Sequence, residues 1–281
     1  MKRSSESPYK NALYIISTPI GNLSDISKRA IDTFKMLDFL FCEDTRVSGK
    51  LLSYLGIKIQ TDSFHDFSDK DKEDKILSLL MKGLNVGLVS DAGTPIISDP
   101  GYEAVSLAIS HGFRVIPIPG ATAEVTALTI SSLPPKPYLF YGFLEHKKEA
   151  RATELTSLKD YPFTMVFYES PLRIKNTLKE MYQIFGERKA ALSRELTKIY
   201  EETIYLNLSE YLSLPDDLKG EMVLSVHGKE KEESHDIDII LEMHKIIKDG
   251  FSVKEASKLI AEKTNLKASF IYNEFQKEKE K

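Results

Sequence analysis

Residues 86–101 read VGLVSDAGTPIISDPG, and this stretch determines how the rest of the chain is interpreted. Its first four residues are aliphatic and partly β-branched, which is typical of a buried strand. The residues after them interrupt that pattern, because Gly93 lets the backbone approach a ligand closely and Pro95 prevents the strand from continuing. A helical pattern begins at Tyr102. The stretch therefore predicts a strand, a polar loop and a helix, and open α/β sheets bind ligands in such loops, beyond the carboxyl ends of their strands.

Polar loops of similar composition follow other apolar runs. The strands that we predict at 12–16, 39–42 and 115–118 each run into such a loop, and helical patterns separate them. The four further loops are 18–22 (TPIGN), 43–46 (EDTR), 119–123 (PGATA) and 194–198 (RELTK). Any one of these loops alone is also an ordinary turn. Strands that alternate with helices predict an α/β fold with a mostly parallel sheet, and the loops are expected to converge at the strand ends.

The length of 281 residues exceeds that of a usual single domain, so we expect two domains and an appendage. Three prolines, at 134, 135 and 137, indicate a stiff linker between the domains. We predict an N-terminal α/β domain at 11–134, a second α/β domain at 135–230 and a helical tail at 236–281. Strands of the second domain are predicted at 138–141, 164–168, 190–193 and 221–226.

The tail contains three short helical patterns. One of them begins with a capping box, in which Ser252 is the N-cap and Glu255 follows three residues later. The arrangement resembles a helix-turn-helix. A small packing or dimer-contact unit fits the same pattern, because basic and acidic residues balance in this segment.

Composition limits the classes of function. Apolar residues make up 42% and charged residues 28%, as in an ordinary globular protein, and the net charge is only −4. Binding to RNA would therefore depend on a local basic patch rather than on bulk charge. The single cysteine, Cys42, excludes an internal disulfide and fits a reducing cytosol. The N-terminus is polar and no apolar run approaches membrane-spanning length, so we predict a cytoplasmic protein.

The five loops, taken in this order and spacing, resemble those of the tetrapyrrole methylase family, also called class III methyltransferases, which use S-adenosylmethionine (SAM). Three segments resemble the branch of this family that acts on ribosomal RNA: LYIISTPIGNLSDIS at 13–27, GFL at 142–144 and YESP at 168–171. The resemblance implies two α/β domains with SAM bent into the cleft between them, usually in a homodimer. It also implies methylation of the ribose 2′-oxygen of a cytidine in 16S rRNA of the small ribosomal subunit.

The resemblance further implies which residues hold SAM. Small residues such as Gly93, Gly120 and Ala121 allow close approach to the ligand, and threonine hydroxyls both donate and accept hydrogen bonds. The implied cofactor-binding residues are Pro19, Asp91, Gly93, Thr94, Ile97, Gly120, Thr122, Ala123 and Tyr168. The six histidines and Cys42 show no metal-ligand spacing, so we expect no requirement for a metal.

A ribose hydroxyl is a poor nucleophile until its proton leaves, so a general base is expected. The carboxylate candidates are Glu195, Glu169, Asp44 and Asp99. Lys198 would serve as a base if burial and cationic neighbours lowered its pKa, and as a cation it would stabilise the forming alkoxide. For each of these residues alone, a structural salt bridge accounts for its presence equally well. Of these candidates, we expect Lys198 and Glu195 to act in catalysis.

Arginines are expected to contact phosphate, because the planar guanidinium forms bidentate contacts with it. Arg46 and Arg194 complete the predicted catalytic set, and Arg173 is a third candidate for phosphate. The local basic surface that recognises RNA is predicted to comprise Lys147, Lys148, Arg151, Arg173 and Arg194.

Two other functions fit the same fold or the tail. A small-molecule C-methyltransferase acting on a tetrapyrrole would need neither the basic segment at 147–151 nor the helical tail. A non-catalytic nucleic-acid-binding protein would need clustered Lys and Arg in the tail, whose charges instead balance. Methylation of ribosomal RNA is therefore the preferred interpretation.

Overall fold

Five parallel strands form the N-terminal sheet, with the strand order β3-β2-β4-β1-β5. The computed structural model describes residues 11–64, 70–215, 217–230, 239–264 and 266–279. The strands are β1 (Ala12–Ile16), β2 (Phe39–Cys42), β3 (Gln60–Ser63), β4 (Val86–Val89) and β5 (Arg114–Ile118). Both β2 and β4 are buried along their whole length, which explains their unbroken apolar sequences. The predicted parallel sheet is confirmed.

Five helices connect or follow these strands: α1 (Lys28–Met36), α2 (Thr45–Tyr54), α3 (Lys70–Met81), α4 (Tyr102–Ser110) and α5 (Ala123–Ile130). Side-chain caps begin two of them. The Ser27 hydroxyl accepts a hydrogen bond from the Ala30 backbone N–H at the start of α1. At the start of α2, the Asp44 carboxylate accepts one from the Arg46 N–H. The loops that lead into these two helices are therefore fixed by their caps.

The second sheet is mixed, with the strand order β6-β7-β10-β8-β9. Its strands are β6 (Tyr138–Phe143), β7 (Thr164–Glu169), β8 (Lys189–Arg194), β9 (Glu202–Asn207) and β10 (Met222–Val226). Only β6 and β7 pair in parallel, and the other pairs are antiparallel. Two helices, α6 (Lys148–Leu158) and α7 (Ile174–Phe185), contribute to its core. Met222 of β10 pairs with Glu169 on one side and with Arg194 on the other, so the ends of β7 and β8 meet where β10 begins.

Helix α5 connects the two sheets. It buries Ala127 and Leu128, which pack in one apolar cluster with Val166 of β7 and Val223 of β10. Both sheets accordingly belong to a single compact unit that extends to Lys229. The boundary at 134/135 between two α/β domains stays a prediction.

Two strands lie where the sequence predicts none. The first, β3, is an edge strand with the polar sequence QTDS, and the second, β9, is an edge strand with the sequence ETIYLN. Edge strands have a partner on one side only, so they need little of the apolar character that identifies a central strand. The other predicted strands are confirmed to within two residues.

The tail forms a second compact unit. Its three predicted helices are confirmed as α8 (Ile239–Lys248), α9 (Val253–Lys263) and α10 (Ala268–Lys279). They enclose a small apolar core of their own, which contains Met243, Ala256, Ile260, Ile271 and Phe275. The predicted capping box is present, since the Ser252 N–H donates to Glu255 Oε2 at 2.9 Å and the Glu255 N–H donates to Ser252 Oγ at 3.3 Å. The predicted start at Asp236 lies outside the described residues. None of the described helices is long and apolar enough to cross a membrane.

Candidate active site

The loops after β1 and β4 are joined by reciprocal backbone hydrogen bonds. The Thr18 N–H donates to the Gly93 carbonyl at 2.8 Å, and the Gly93 N–H donates to the Thr18 carbonyl at 3.2 Å. The hydroxyls of Ser17 and Thr94 lie 2.9 Å apart. Because β1 and β4 are parallel neighbours, both loops leave the same edge of the sheet.

A cavity of about 610 Å³ adjoins these loops and the end of the second sheet where β10 begins. That volume lies within the range of small-molecule sites, roughly 300–1,000 Å³. Five of the residues predicted to hold the cofactor line it: Gly93, Thr94, Ile97, Ala123 and Tyr168. Two of the predicted catalytic residues, Glu195 and Lys198, line the same cavity. Residues that are distant in sequence are thus brought to one place.

Four other predicted cofactor residues, Pro19, Asp91, Gly120 and Thr122, are not in the lining. The Asp91 carboxylate instead accepts a hydrogen bond from the Asp44 N–H at 2.9 Å, which connects two loops. A Cβ added to Gly120 would lie 2.8 Å from the Cβ of Ser17. Gly120 therefore permits close packing against the end of β1, and we expect a larger residue there to disturb the fold rather than to block the cavity.

Glu124 is a further polar residue of the cavity lining, and the sequence-based prediction does not include it. Its carboxylate accepts a 2.6 Å hydrogen bond from the Tyr168 hydroxyl, and the residue is only 7% exposed. Burial and the hydrogen bond to Glu124 raise the pKa of Tyr168, so the phenol keeps its proton. Glu124 lies in the first turn of α5, where the helix dipole stabilises a carboxylate. Acidic residues at helix starts are common, so nothing in the residue pattern distinguishes Glu124 as part of a site.

These residues fit SAM. The sulfonium and ammonium groups of SAM are cationic, and the carboxylates of Glu124 and Asp99 belong to the lining. Gly93 offers backbone without a side chain, in the left-handed region at φ +79°. A Cβ there would lie 3.3 Å from Ile20, which also lines the cavity.

Lys198 lies between two carboxylates. Its Nζ is 2.9 Å from Glu195 Oε1 and 3.0 Å from Glu221 Oε2. Burial alone would lower the pKa of Lys198, but the hydrogen bonds to Glu195 and Glu221 outweigh it and raise the pKa. The hydrogen bond from Lys198 lowers the pKa of Glu195 against the opposing effect of burial. The condition for Lys198 to act as a base, a pKa lowered by burial and cationic neighbours, is therefore not met, because its neighbours are carboxylates that favour the protonated form.

The loop that carries Lys198 is strained. Glu195 and Thr197 have φ angles of +51° and +66°, which non-glycine residues seldom adopt. Such conformations persist where the surrounding structure enforces them, and they cluster at functional sites. Here a Cβ on Gly21 would lie 2.6 Å from Lys198 Cγ, and one on Gly220 would overlap the Glu195 carboxylate. The two glycines leave room for the Lys198–Glu195 pair.

Arg46 and Arg194 lie outside the cavity lining. The Arg46 side chain is 87% exposed, and its Nη2 is 2.6 Å from Asp44 Oδ2. Its hydrogen bonds lower the pKa of Asp44 to about 2. Arg194 Nε is 2.6 Å from Glu202 Oε2 on the neighbouring strand β9. Both arginines therefore form ion pairs at the surface, and Asp44 serves as the cap of α2.

Two arginines that were predicted to bind RNA are structural, which corrects that part of the basic surface. Arg151 is 7% exposed and forms hydrogen bonds of 2.7 and 2.9 Å with both carboxylate oxygens of Glu180. Arg173 forms an ion pair with Glu169 at 3.2 Å and donates to the Leu144 carbonyl at 2.8 Å. Both side chains fix the segment at 144–146 through hydrogen bonds to its backbone carbonyls.

Glu169 is also committed to structure. It is 3% exposed, and its two oxygens accept hydrogen bonds from the Ser170 N–H at 2.8 Å and from the Thr177 hydroxyl at 2.6 Å. A carboxylate held in this way fixes the turn after β7, so we no longer expect it to accept a substrate proton. Among the described residues, no group of three His, Cys, Asp or Glu side chains could hold a metal ion.

The chain is similar in sequence to a known protein family and to named methyltransferases. Residues 12–212 match the family described as Tetrapyrrole (Corrin/Porphyrin) Methylases. The Ribosomal RNA small subunit methyltransferase I of Mesorhizobium japonicum is 45% identical over 240 residues, which are 83% of this chain and 82% of that protein. The protein of the same name from Streptococcus pyogenes serotype M18 is 41% identical over 269 residues, 94% of each chain.

Solved structures show the same fold at low identity. A uroporphyrin-III C-methyltransferase from Thermus thermophilus, complexed with S-adenosylhomocysteine, has a TM-score of 0.56 at 15% identity and covers 77% of this chain and 97% of its own. The fold class expected from the sequence and the use of SAM are confirmed. The chain belongs to the tetrapyrrole methylase family of SAM-dependent methyltransferases.

Proposed function

We propose that this enzyme methylates the ribose 2′-oxygen of a cytidine in 16S rRNA of the small ribosomal subunit, in the cytoplasm and as a homodimer. The relatives that are 41–45% identical over most of the chain carry the name of ribosomal RNA small subunit methyltransferases. The observation that carries the chemical part is the position of Lys198, which is paired with Glu195 and Glu221 and lines the same cavity as five predicted cofactor residues. The homodimer rests on family resemblance alone.

We assign the cofactor to the part of the cavity lined by Gly93, Thr94, Ile97, Ala123 and Tyr168. When bound, SAM supplies a methyl group on a positively charged sulfur. Pro19, Asp91, Gly120 and Thr122 would support these loops from outside the lining, as the hydrogen bond between Asp91 and the Asp44 N–H does. Tyr168 keeps its proton and donates to Glu124, which fixes the ring beside the ligand.

Lys198 is assigned to stabilise the negative charge that develops on the ribose oxygen. A fixed cation at the position where charge develops is effective because it needs no reorganisation during the reaction. Glu195 accepts the Lys198 hydrogen bond, and the hydrogen bonds between Glu195 and the Glu221 backbone hold it in place. Arg46 and Arg194 lie outside the cavity, so we assign them to phosphate contacts rather than to methyl transfer.

The proposal is tested by incubating the protein with radiolabelled SAM and a chelator. One sample contains stripped small ribosomal subunits, and the other contains a tetrapyrrole precursor. We expect label only in the RNA, recovered after nuclease digestion as 2′-O-methylcytidine by mass spectrometry. Label on a base carbon or nitrogen, or on the tetrapyrrole, would contradict the proposed reaction.

Recognition of RNA is expected to depend on Lys147 and Lys148, which are exposed, unlike Arg151. Changing both lysines to Glu should raise the KM for RNA and leave SAM affinity unchanged. The log–log salt dependence of RNA binding should flatten by roughly 0.7–0.9 for each phosphate that the protein no longer neutralises. Arg151 is left intact, because its removal would leave the partly buried Glu180 carboxylate without its partner.

A matched control changes the exposed Lys58 and Lys82 to Glu. These lysines precede β3 and β4, and therefore lie at the opposite edge of the parallel sheet from the cofactor loops. The control makes the same change in net charge. Equal weakening of RNA binding by the two double variants would refute a local surface at 147–148.

A further inference from the structure

Five carboxylates line the cavity: Asp99, Glu124, Glu169, Glu195 and Glu221. If the enzyme acts on a ribose hydroxyl, as proposed above, one group must accept the proton of that hydroxyl. The carboxylate that accepts it has to be accessible to a substrate that enters from solvent. At least one of its oxygens also has to be free to accept a hydrogen bond from the substrate hydroxyl. The five side chains differ in both respects.

Three of the five carboxylates already accept hydrogen bonds from groups of the protein that hold them in place. Glu169 accepts hydrogen bonds on both oxygens and has a side chain that is 1% exposed. Glu124 is buried, and its carboxylate accepts a hydrogen bond from the Tyr168 hydroxyl. Glu195 Oε1 accepts hydrogen bonds from Lys198 Nζ at 2.9 Å and from the Glu221 N–H at 3.2 Å. Asp99 belongs to the loop at 90–99 that carries the predicted cofactor residues, and it acts electrostatically on Tyr168.

Glu221 differs from all of them. Its side chain is 76% exposed, and among the described residues its carboxylate accepts a hydrogen bond only from Lys198 Nζ, on Oε2. It directly precedes β10, and its backbone pairs with Glu195: the Glu195 N–H donates to the Glu221 carbonyl at 3.0 Å. The backbone that carries Glu221 is therefore fixed, while its carboxylate faces solvent beside the Lys198 ammonium.

We infer that Glu221 accepts the proton of the ribose 2′-hydroxyl, with Lys198 stabilising the oxygen as it loses that proton. The oxygen forms its new bond to the methyl carbon with a lone pair, while the electron pair of the carbon–sulfur bond stays on sulfur. The hydroxyl proton passes to a Glu221 oxygen and later to water. The products are 2′-O-methylated RNA, S-adenosylhomocysteine and, once that proton is released, the original carboxylate.

The inference is tested with Glu221→Ala, Glu221→Gln and the control Glu103→Ala, an exposed carboxylate in the first turn of α4. Single-turnover rates are measured with small subunits, and calorimetry gives the affinity for S-adenosylhomocysteine. Filter binding gives the RNA affinity. Removal of a general base costs roughly 10²–10⁴-fold in rate. We expect that loss in both Glu221 variants, no loss in the control, and both affinities within twofold of wild type.

Formate rescue of the Ala variant, taken together with the Gln variant, separates a proton acceptor from a group that merely positions Lys198. The Ala variant leaves space for a small carboxylate, so formate should restore its rate at least tenfold, and chloride at equal ionic strength should not. Gln fills that space and retains a hydrogen bond to Lys198, so formate should not restore its rate.

An active Gln variant, an Ala variant without formate rescue, or a loss of S-adenosylhomocysteine affinity would overturn the role of Glu221. For the wild-type protein, the position of the transferred methyl group is determined separately. Label on a base rather than on ribose would overturn the proposed function, and the Glu221 step with it. Ribose methylation by wild type together with an unimpaired Glu221→Ala would overturn the Glu221 step alone.

Discussion

Replacing Lys198 by Met is expected to lower turnover by about 10²–10³-fold, the usual effect of removing one group that stabilises a developing oxyanion. Met has a similar length and fills a similar space, but it leaves the ribose oxygen without a cation. SAM and RNA affinity should stay within a few-fold of wild type, because the ammonium is satisfied within the protein by Glu195 and Glu221. Single-turnover kinetics measure the rate, and calorimetry measures SAM binding.

Lys198→Arg is the matched variant, since it keeps the charge and changes the geometry. We expect it to recover part of the rate that Met loses. The melting temperatures of both variants are compared with wild type, because Met leaves Glu195 and Glu221 without the cation between them. Full turnover in a folded Lys198→Met protein would remove Lys198 from the chemistry.

Replacing Gly93 by Val is expected to abolish measurable SAM binding. Gly93 lies at φ +79° and lines the cavity, and a Cβ would already lie 3.3 Å from Ile20. A β-branched residue there places further atoms at a position where the ligand needs open backbone, and it strains a conformation that L-residues avoid by roughly 1–2 kcal/mol. Calorimetry in the presence of a chelator measures the loss, and circular dichroism verifies the fold.

Gly83→Val controls for backbone strain. Gly83 has φ +83°, almost the same as Gly93, but a Cβ there meets nothing within 4 Å, and the residue does not line the cavity. Its Val variant carries the strain without the obstruction, so SAM should bind with wild-type affinity. Wild-type affinity in both Val variants would show that the loop at 90–95 is not the cofactor site.

The parallel half of the molecule was predictable from the sequence for a physical reason. Parallel strands buried on both faces have unbroken apolar sequences, so β2 and β4 were recognisable, and their loops had to meet at the carboxyl edge. The edge strands β3 and β9 lack that signal because only one side of each is paired.

Side-chain partners that are distant in sequence were not predictable. Arg151 and Glu180 are 29 residues apart, so the arginine was assigned to a basic surface although it is buried. The sequence does not indicate Glu221, because its proximity to Lys198 depends on the antiparallel register of β8 and β10, which pairs Arg194 with Met222. Positive φ at Glu195 likewise has no signature in the residue type.

Helix α5 begins beside the ligand cavity, and it packs on the second sheet through Ala127 and Leu128. A ligand that contacts Ala123 therefore contacts a helix whose buried residues share an apolar cluster with strands of the second sheet and with Ile20 of the loop after β1. Its binding free energy is linked to the unfolding of the whole unit and not only to the opening of one loop. Saturation with cofactor would in this way make the two halves of the enzyme unfold as one cooperative block.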